Sequence, residues 1–203
     1  MRTLIQRLKS QGRFQITVLL IVMSLFCFGI SMTRYFITET KVFLFLNWNL
    51  FLAFIPWLLS SIILLKGLTN RLSLIVFICT WLLFFPNSPY ILTDLFHLRS
   101  RDSAPIWFDL VVILSFAWTG LVYGFISLMD MEVLLKKYMT GRLITATTIL
   151  FLFVASFGIY LGRYLRWNSW DIVNDPLGLS SDIFDRFADP FSYPRAWGMT
   201  ILM

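Results

Sequence analysis

The sequence predicts an all-α fold, a polytopic transmembrane helical bundle, and three observations support this class. Four stretches of the 203-residue chain are apolar over about 20 residues, which is the length that a helix needs to cross a bilayer, and a fifth is slightly shorter. Hydrophobic residues make up 58% of the chain, and charged residues only 14%, against roughly 25% in an average globular protein. A soluble fold of this size cannot bury so much apolar surface, whereas a bilayer solvates it. We therefore expect a single membrane domain over residues 1–203.

Five spans are expected in chain order, at residues 14–33, 42–65, 72–85, 106–129 and 143–162. The first follows a basic tail that ends at Arg13, and it lacks a cleavage site, so it is expected to stay as an anchor. Asn47, Asn49 and Pro56 interrupt the second span. Buried amides need partners, which favours a hydrogen bond between helices over a ligand contact. The third span stops at Pro86, whose nitrogen cannot donate a backbone hydrogen bond inside a helix.

The segment after the third span predicts a helix break followed by a short, strongly amphipathic helix. Ser88 is expected to be the N-cap and Pro89 the first helical residue. The polar residues that follow recur at spacings of three and four on one narrow helical face, namely Tyr90, Thr93, Asp94 and His97. We expect residues 89–98 to lie on the membrane surface or to dip into it as a re-entrant helix.

The C-terminal part is expected to be a polar outer segment over residues 163–196, followed by an apolar end. The polar segment has a turn-like composition and predicts one short helix near residues 181–188. Its acidic residues are Asp171, Asp175, Asp182, Asp185 and Asp189. Residues 196–203 become apolar again, which predicts a sixth span that begins here and is truncated at Met203.

The charges and cysteines exclude several classes of partner. The net charge of +6 does not indicate nucleic acid, because the basic residues flank apolar spans instead of forming one stripe. Four basic residues precede the first span and two follow it, which predicts a cytoplasmic N-terminus. Cys27 and Cys79 fall inside apolar spans and are expected to be small buried hydrophobes. Two cysteines and one histidine do not make a metal site, and no cofactor is expected.

The polar residues near the apolar layer are expected to gather at one end of the bundle. The third span ends there, the fourth begins there and the fifth ends there, whichever way the chain is oriented. Ionisable residues at such positions are costly, so they usually pair, face a cavity or reach the interface. The candidate ligand-binding residues are Tyr90, Thr93, Asp94, His97, Asp109, Arg163, Arg166, Asn168 and Asp171.

Two interpretations of this group stay open. In the first it is a pocket in which Asp94, His97 and Asp109 face the two arginines of the fifth span. The guanidiniums would bind the phosphate or carboxylate of an anionic lipid or envelope ligand, and Asp94 would orient His97 for proton transfer. In the second, which the sequence slightly favours, the same residues form interhelical ion pairs that fix the loops. The aromatic belt around them would then consist of Trp107, Trp167 and Trp170.

Two spans carry pairs of glycines at the spacing that lets helix backbones approach closely, Gly120/Gly124 and Gly158/Gly162. The expected role is packing between the fourth and fifth spans. The alternative is a helix-mediated homo-oligomer.

Three sequence motifs resemble those of a bacterial family of predicted membrane proteins, catalogued as domain of unknown function 1361. They are NWNLFLA at 47–53, FPNSPY at 85–90 with TDL at 93–95, and GIYLGR at 158–163 with RWNSWD at 166–171. The resemblance runs from Asn47 to the C-terminus. It implies a multi-pass protein of the bacterial plasma membrane and no activity. Because members of such families usually end in a complete span, it also implies that the last helix is truncated.

Three classes of function are expected, and the sequence favours the first over the other two. The first is a non-enzymatic membrane component that binds a lipid, an envelope component or a protein partner through the outer polar cluster. The second is a small transporter or permease for an anionic solute. The third is a membrane enzyme with His97 as its proton-transfer residue. The sequence carries no phosphate-binding loop, zinc-protease motif or nucleophile elbow.

Overall fold

A computed structural model of the chain describes residues 6, 8–9, 12–67 and 70–203. Most of the predicted basic tail, residues 1–5, 7 and 10–11, lies outside the described residues, as do residues 68–69 between the second and third spans. The described residues form helices and no strand. Their elements are α1 Phe14–Thr38, α2 Phe45–Lys66, α3 Arg71–Phe84, α4 Asn87–Tyr90 with a 3₁₀ segment Ile91–His97, α5 Ile106–Leu135, α6 Gly141–Tyr160 with a π-helical turn Leu161–Leu165, α7 Asp171–Asn174, α8 Pro176–Ala188, a 3₁₀ turn Pro190–Ser192, and α9 Pro194–Leu202.

Five helical stretches are long and apolar enough to cross a membrane, which confirms the predicted all-α polytopic class. They are Phe14–Thr38, Phe45–Lys66, Arg71–His97, Ile106–Leu135 and Gly141–Leu165. The end of the bundle at which α1 begins is called the proximal end below, and the end at which α1 finishes is called the distal end. The third and fifth stretches finish at the distal end, where α2 and α5 begin.

Four of the five spans are longer than the sequence predicts, and the first and the fourth gain charged residues at one end. The first runs to Thr38 and the fourth to Leu135, so that Arg34, Asp130 and Glu132 lie in helices and not in loops. Hydropathy treats a charged residue as the end of a span. Arg34 and Asp130 stay within their helices because each has an ion-pair partner on another element, and pairing offsets the cost of a charge in an apolar layer.

The centre of the bundle is α5, which packs along α2 and also contacts α1, α4 and the 3₁₀ segment. Its buried residues Val112, Ile113 and Phe116 join Leu46 and Ala53 of α2 in one core cluster. A second cluster joins α3, α6 and the proximal part of α5, and Trp81 lies at its centre, completely buried. The two clusters leave the distal half of the space between α3 and α6 unfilled.

The predicted break after the third span is present, but its details differ from the prediction. Ser88 is not the N-cap: Pro86 occupies that position, and the Ser88 hydroxyl donates to the backbone oxygen of Ala53 at 3.1 Å. The chain then continues as a 3₁₀ helix instead of an amphipathic α-helix. Its Thr93 and Asp94 are buried, whereas Phe96 is 58% exposed. Thr93 and Asp94 therefore point into the bundle whereas His97 is exposed, and the 3₁₀ segment forms the end of the third candidate stretch, Arg71–His97.

The glycines of α5 contact this break and not the fifth span. A Cβ added to Gly120 would lie 2.8 Å from the backbone oxygen of Ser88 and 2.9 Å from Ile91 Cδ1. A Cβ on Gly124 would lie 2.9 Å from Ser88 Cβ. At these two positions only a glycine lets the backbone of α5 approach the break so closely.

The glycines of α6 contact the same break from the other side. A Cβ on Gly158 would lie 2.9 Å from Pro86 Cγ, and one on Gly162 would lie 3.2 Å from Tyr90 Cε2. The predicted packing of one glycine pair against the other is therefore wrong. A break leaves a bulky, irregular backbone between two regular helices, and the four glycines make room for it.

The polar outer segment contains more helix than predicted. α8 begins at Pro176, ahead of the predicted start, because Asp175 caps it by accepting a hydrogen bond from the Gly178 backbone nitrogen at 3.0 Å. α9 packs against α6, where the Trp197 ring lies 6.1 Å from the Phe157 ring, centroid to centroid. The apolar end predicted at residues 196–203 lies almost entirely in this helix.

Candidate functional site

The predicted site residues do gather at the distal end, but the structure divides them between two separate ion-pair clusters. The Asp94 cluster consists of Asn49, Asp94 and Arg163, and the Asp109 cluster consists of Arg34, Arg101 and Asp109. The two aspartates therefore do not face Arg163 and Arg166 together, as the first of the two interpretations requires.

The Asp94 cluster joins three spans. The Asp94 carboxylate is 1% exposed and accepts hydrogen bonds from Asn49 Nδ2 at 2.9 Å and from Arg163 Nη1 at 3.1 Å. The Arg163 guanidinium also lies over the Phe96 ring, 5.3 Å from its centroid. A buried carboxylate is stable only when it is paired and its oxygens are hydrogen-bonded, so this cluster holds α2, the 3₁₀ segment and the end of α6 in fixed positions.

The Asp109 cluster joins α1 to the start of α5. Arg34 Nε donates to Asp109 Oδ1 at 2.7 Å, and Arg101 Nη1 donates to Oδ2 at 3.1 Å. Both guanidiniums lie beside the Phe43 ring, at 4.8 and 5.0 Å from its centroid. Arg34 is only 1% exposed, and its remaining donors reach Thr40 Oγ1 and a backbone oxygen. Asp109 and Phe43 are almost completely buried as well, so little of this cluster is open to solvent.

His97 does not pair with Asp94 in the part of the chain that the structure describes. Both carboxylate oxygens of Asp94 are taken by Asn49 and Arg163, and the His97 side chain is exposed. Its ring lies edge-on to Phe45, with 5.7 Å between the centroids. The hypothesis of His97 as a proton-transfer residue therefore has no carboxylate that orients the imidazole in this structure.

The remaining candidate residues take up local roles. Arg166 ends the π-helical turn in a left-handed conformation, with φ of 64°, and is exposed, whereas Arg163 points inward. The two guanidiniums therefore do not face one anion. Asn168 donates to Asp171 Oδ2 from both its backbone and its side chain, at 2.7 and 3.2 Å. Thr93 donates to the backbone oxygen of Tyr90 at 2.7 Å, which satisfies its buried hydroxyl.

A third ion pair lies at the proximal end, where the sequence predicted a tail and a turn. Arg13 Nη2 donates to Asp130 Oδ2 at 2.7 Å and to Ser61 Oγ at 2.8 Å, and Ser60 Oγ donates to the same carboxylate at 2.7 Å. Arg13 and Asp130 are 8% and 7% exposed. Arg13 and Arg34 share a signal in the sequence: each lies at one end of a long apolar stretch, where a charged side chain pairs, faces a cavity or reaches the interface.

A cavity of about 460 Å³ lies beside the Asp94 cluster, between α3 and α6. Its apolar walls come from α2, α3, α6 and α8, and include Leu82, Phe157, Leu161 and Ile183. The distal loop at residues 167–170 and the break at residues 86–90 supply its polar residues. Asn49 belongs both to the lining and to the Asp94 cluster, so the ion pair stabilises one wall of the cavity.

The family described as "Protein of unknown function (DUF1361)" has a model that matches residues 48–203. The chain belongs to this family. The match confirms the resemblance read from the sequence motifs. No curated protein and no solved structure matches the chain.

The DUF1361 match contains every residue of the cavity and of the Asp94 cluster, whereas α1 precedes it. Arg13 and Arg34, which complete the other two ion pairs, therefore lie outside the matched residues. The part of the molecule that DUF1361 describes is the part that encloses the cavity.

Hydrogen bonds fix the distal wall of the cavity in this DUF1361 chain. Asn87 Nδ2 donates to Ser169 Oγ at 3.1 Å, and Ser169 Oγ donates to the backbone oxygen of Leu83 at 3.0 Å. Trp167 Nε1 donates to Asp182 Oδ2 at 2.7 Å, which ties the loop to α8. Ser169 and Asn87 are not among the predicted ligand-binding residues, although both lie in the motifs that carry the family resemblance.

Proposed function

We propose that the protein is a non-enzymatic, multi-pass membrane component that binds a lipid in the cavity between α3 and α6. One observation carries the proposal: the cavity is mostly apolar, and two of its lining residues are exposed within candidate spans. Cys79 of α3 and Val154 of α6 line it, and both are exposed although they lie inside candidate spans. Exposed positions at that depth face hydrocarbon, so a lipid chain reaches the cavity without leaving the membrane.

The dimensions of the cavity suit an acyl or isoprenoid chain. Its volume falls within the range of about 300–1,000 Å³ that is typical of small-molecule sites. From Val154 to the distal end of the π-helical turn the distance along the helix axis is about 16 Å, at 1.5 Å per residue. Each CH₂ group moved out of water contributes about 0.8 kcal/mol, although the gain relative to a bilayer is smaller because lipid tails are themselves apolar.

The polar residues of the cavity lie at its distal end, where a lipid head group would lie. Asn87, Asn168 and Ser169 line that end, and the Asp94 cluster stands behind Asn49. In this proposal the Asp94 cluster positions the wall instead of binding the ligand. Transport of an anionic solute and catalysis by His97 stay hypotheses without a comparable observation.

We further propose that the protein lies in the bacterial plasma membrane with its N-terminus in the cytoplasm and its distal end outside. The basic residues before the first span support this orientation. The motifs that resemble a bacterial family support the location in the bacterial plasma membrane.

Labelling of Cys79 tests the proposal directly. Cys79 lines the cavity, whereas Cys27 is completely buried and lies 3.2 Å from Thr119 Oγ1, so it serves as an internal control. We expect an apolar maleimide to modify delipidated protein at Cys79, and added membrane lipid to slow that reaction. The Cys79→Ala variant should not react. A labelling rate that no lipid changes, in a protein that co-purifies with no lipid, would contradict the proposal.

A further inference from the structure

We infer that the head group of the bound lipid is uncharged and carries hydroxyl groups, as a sugar or a glycerol does. The inference rests on the proposed function, because it concerns the ligand of the same cavity. It differs from the anionic ligand that the sequence suggested.

The described lining of the cavity carries no charged side chain. Among the described residues that line it, none is acidic, basic or a histidine. A phosphate or carboxylate placed there would lose its hydration and gain no opposite charge, which is strongly unfavourable in an apolar environment. An uncharged head group avoids that cost.

Two of the arginines behind the lining are already paired with carboxylates. Arg163, the cation behind Asn49, is paired with Asp94 at 3.1 Å. Behind Trp167, Asp182 is paired with Arg186 at 2.7 Å. Each pair would have to open before its arginine could bind an anion. Opening the first would leave the buried Asp94 carboxylate unpaired, and opening the second would leave Asp182, whose side chain is 31% exposed, without its arginine.

The asparagines of the lining donate their hydrogen bonds to the protein and leave their amide oxygens as acceptors. Three asparagines line the cavity, and in each the amide nitrogen already donates to the protein. Asn49 Nδ2 donates to Asp94, Asn87 Nδ2 to the Phe84 backbone oxygen and to Ser169, and Asn168 Nδ2 to Asp171. The Oδ1 atoms of these amides accept no hydrogen bond within the described chain and are left for a ligand.

Amide oxygens can only accept hydrogen bonds, and a hydroxyl group can donate one, whereas an ionised phosphate cannot. The Tyr90 hydroxyl, also in the lining, forms no hydrogen bond with the described part of the chain. Trp48 and Trp170 add indole rings, whose apolar faces and N–H groups suit a ligand with both kinds of surface. Together these groups can accept hydrogen bonds from the hydroxyl groups of a ligand and donate hydrogen bonds to them.

The test measures the thermal unfolding midpoint of the full chain in a polyoxyethylene detergent, because a maltoside detergent would itself fit the site. The probes are diglucosyl diacylglycerol, diacylglycerol and phosphatidylglycerol with identical acyl chains. We expect diglucosyl diacylglycerol to raise the midpoint most if the head group is a sugar, and diacylglycerol to match it if a glycerol hydroxyl suffices. Phosphatidylglycerol should have little effect.

Two variants make the test specific. Tyr90→Phe keeps the ring that contacts Gly162 and removes only the hydroxyl, so glycolipid affinity should fall about three- to tenfold, the equivalent of one hydrogen bond. Tyr138→Phe, at an exposed residue outside the cavity, should change nothing. Asn168→Lys adds a cation at an exposed lining residue and should increase the effect of phosphatidylglycerol.

The outcomes separate the two proposals. Stabilisation by phosphatidylglycerol that equals or exceeds that by the uncharged lipids would overturn the inference and leave lipid binding intact. An unchanged glycolipid affinity in Tyr90→Phe would also count against it. If no lipid stabilises the protein and none protects Cys79, the proposed function itself fails.

Discussion

The two distal ion-pair clusters use the same chemistry but differ in their surroundings. In the Asp109 cluster two arginines share one carboxylate around the Phe43 ring, and Asp109, Arg34 and Phe43 are almost completely buried. In the Asp94 cluster one arginine and one asparagine share the carboxylate, and the asparagine lines a cavity. A buried ion pair therefore does not by itself mark a binding site. The open, uncharged space beside the Asp94 cluster distinguishes it.

The largest expected effect on stability comes from breaking the Asp109 cluster. Asp109→Asn leaves Arg34, which is 1% exposed, with a buried charge and no anion. Removing one partner of such a pair costs about 3–5 kcal/mol, so most of the protein should fail to fold. The measurement is the monodisperse yield in detergent, with Asp102→Asn in an exposed loop as the control. A normal yield of Asp109→Asn would show that the pair does not hold α1 to α5.

Asp94→Asn should destabilise the protein less than Asp109→Asn. Its partner Arg163 has a side chain that is 12% exposed, so the unpaired guanidinium can reach water more easily. Combining Asp94→Asn with Arg163→Met removes both charges and should recover much of the lost unfolding midpoint. If the double variant is as unstable as the sum of the single ones, the two residues are not coupled as the structure indicates.

Adding a Cβ where α5 contacts the break should have an intermediate effect on stability. In Gly120→Ala the new Cβ would lie 2.8 Å from a backbone oxygen, and overpacking of this kind costs about 1–3 kcal/mol. Gly29→Ala is a matched control, because a Cβ on that helical glycine meets nothing within 4 Å. There the change should be neutral or stabilising by up to about 1 kcal/mol. Thermal unfolding measures both, and equal midpoints would contradict the packing described.

The smallest effect is expected for His97→Ala. The side chain is exposed, and the change removes mainly its edge contact with Phe45, so the stability should fall by less than about 1 kcal/mol. Lipid retention should stay at the wild-type level. A variant that folds normally, retains lipid and yet loses a cellular phenotype would revive the enzymatic hypothesis.

The sequence predicts the class, the number of spans and the end at which polar residues gather, because bilayer thickness and chain direction determine them. It also anticipates that Asn47 has a helix partner, which is Ser31 of α1 at 2.9 Å. It does not predict that Asp109 pairs with Arg34 or that Asp130 pairs with Arg13. Each of these pairs joins residues far apart in the chain, and a hydropathy reading assigns three of the four to tails, loops or turns.

The cavity could not be predicted either. It is lined in part by the break at Pro86 and Asn87 and by Gly158 and Gly162 of the fifth span, whose contacts with the break form only when the helices are assembled. The lining residues are ordinary apolar and amide side chains with no motif of their own. Their lack of charge becomes informative only once the structure brings them around one space.

The amount of lipid that co-purifies with cavity-filling variants tests the central claim most directly. Val154 lines the cavity, whereas Ile149, on the same helix, is 61% exposed and lies outside it. Native mass spectrometry should show that Val154→Trp loses the bound lipid, while Ile149→Trp retains as much as the wild type. Equal lipid retention in the two variants, both folded, would contradict a lipid site between α3 and α6.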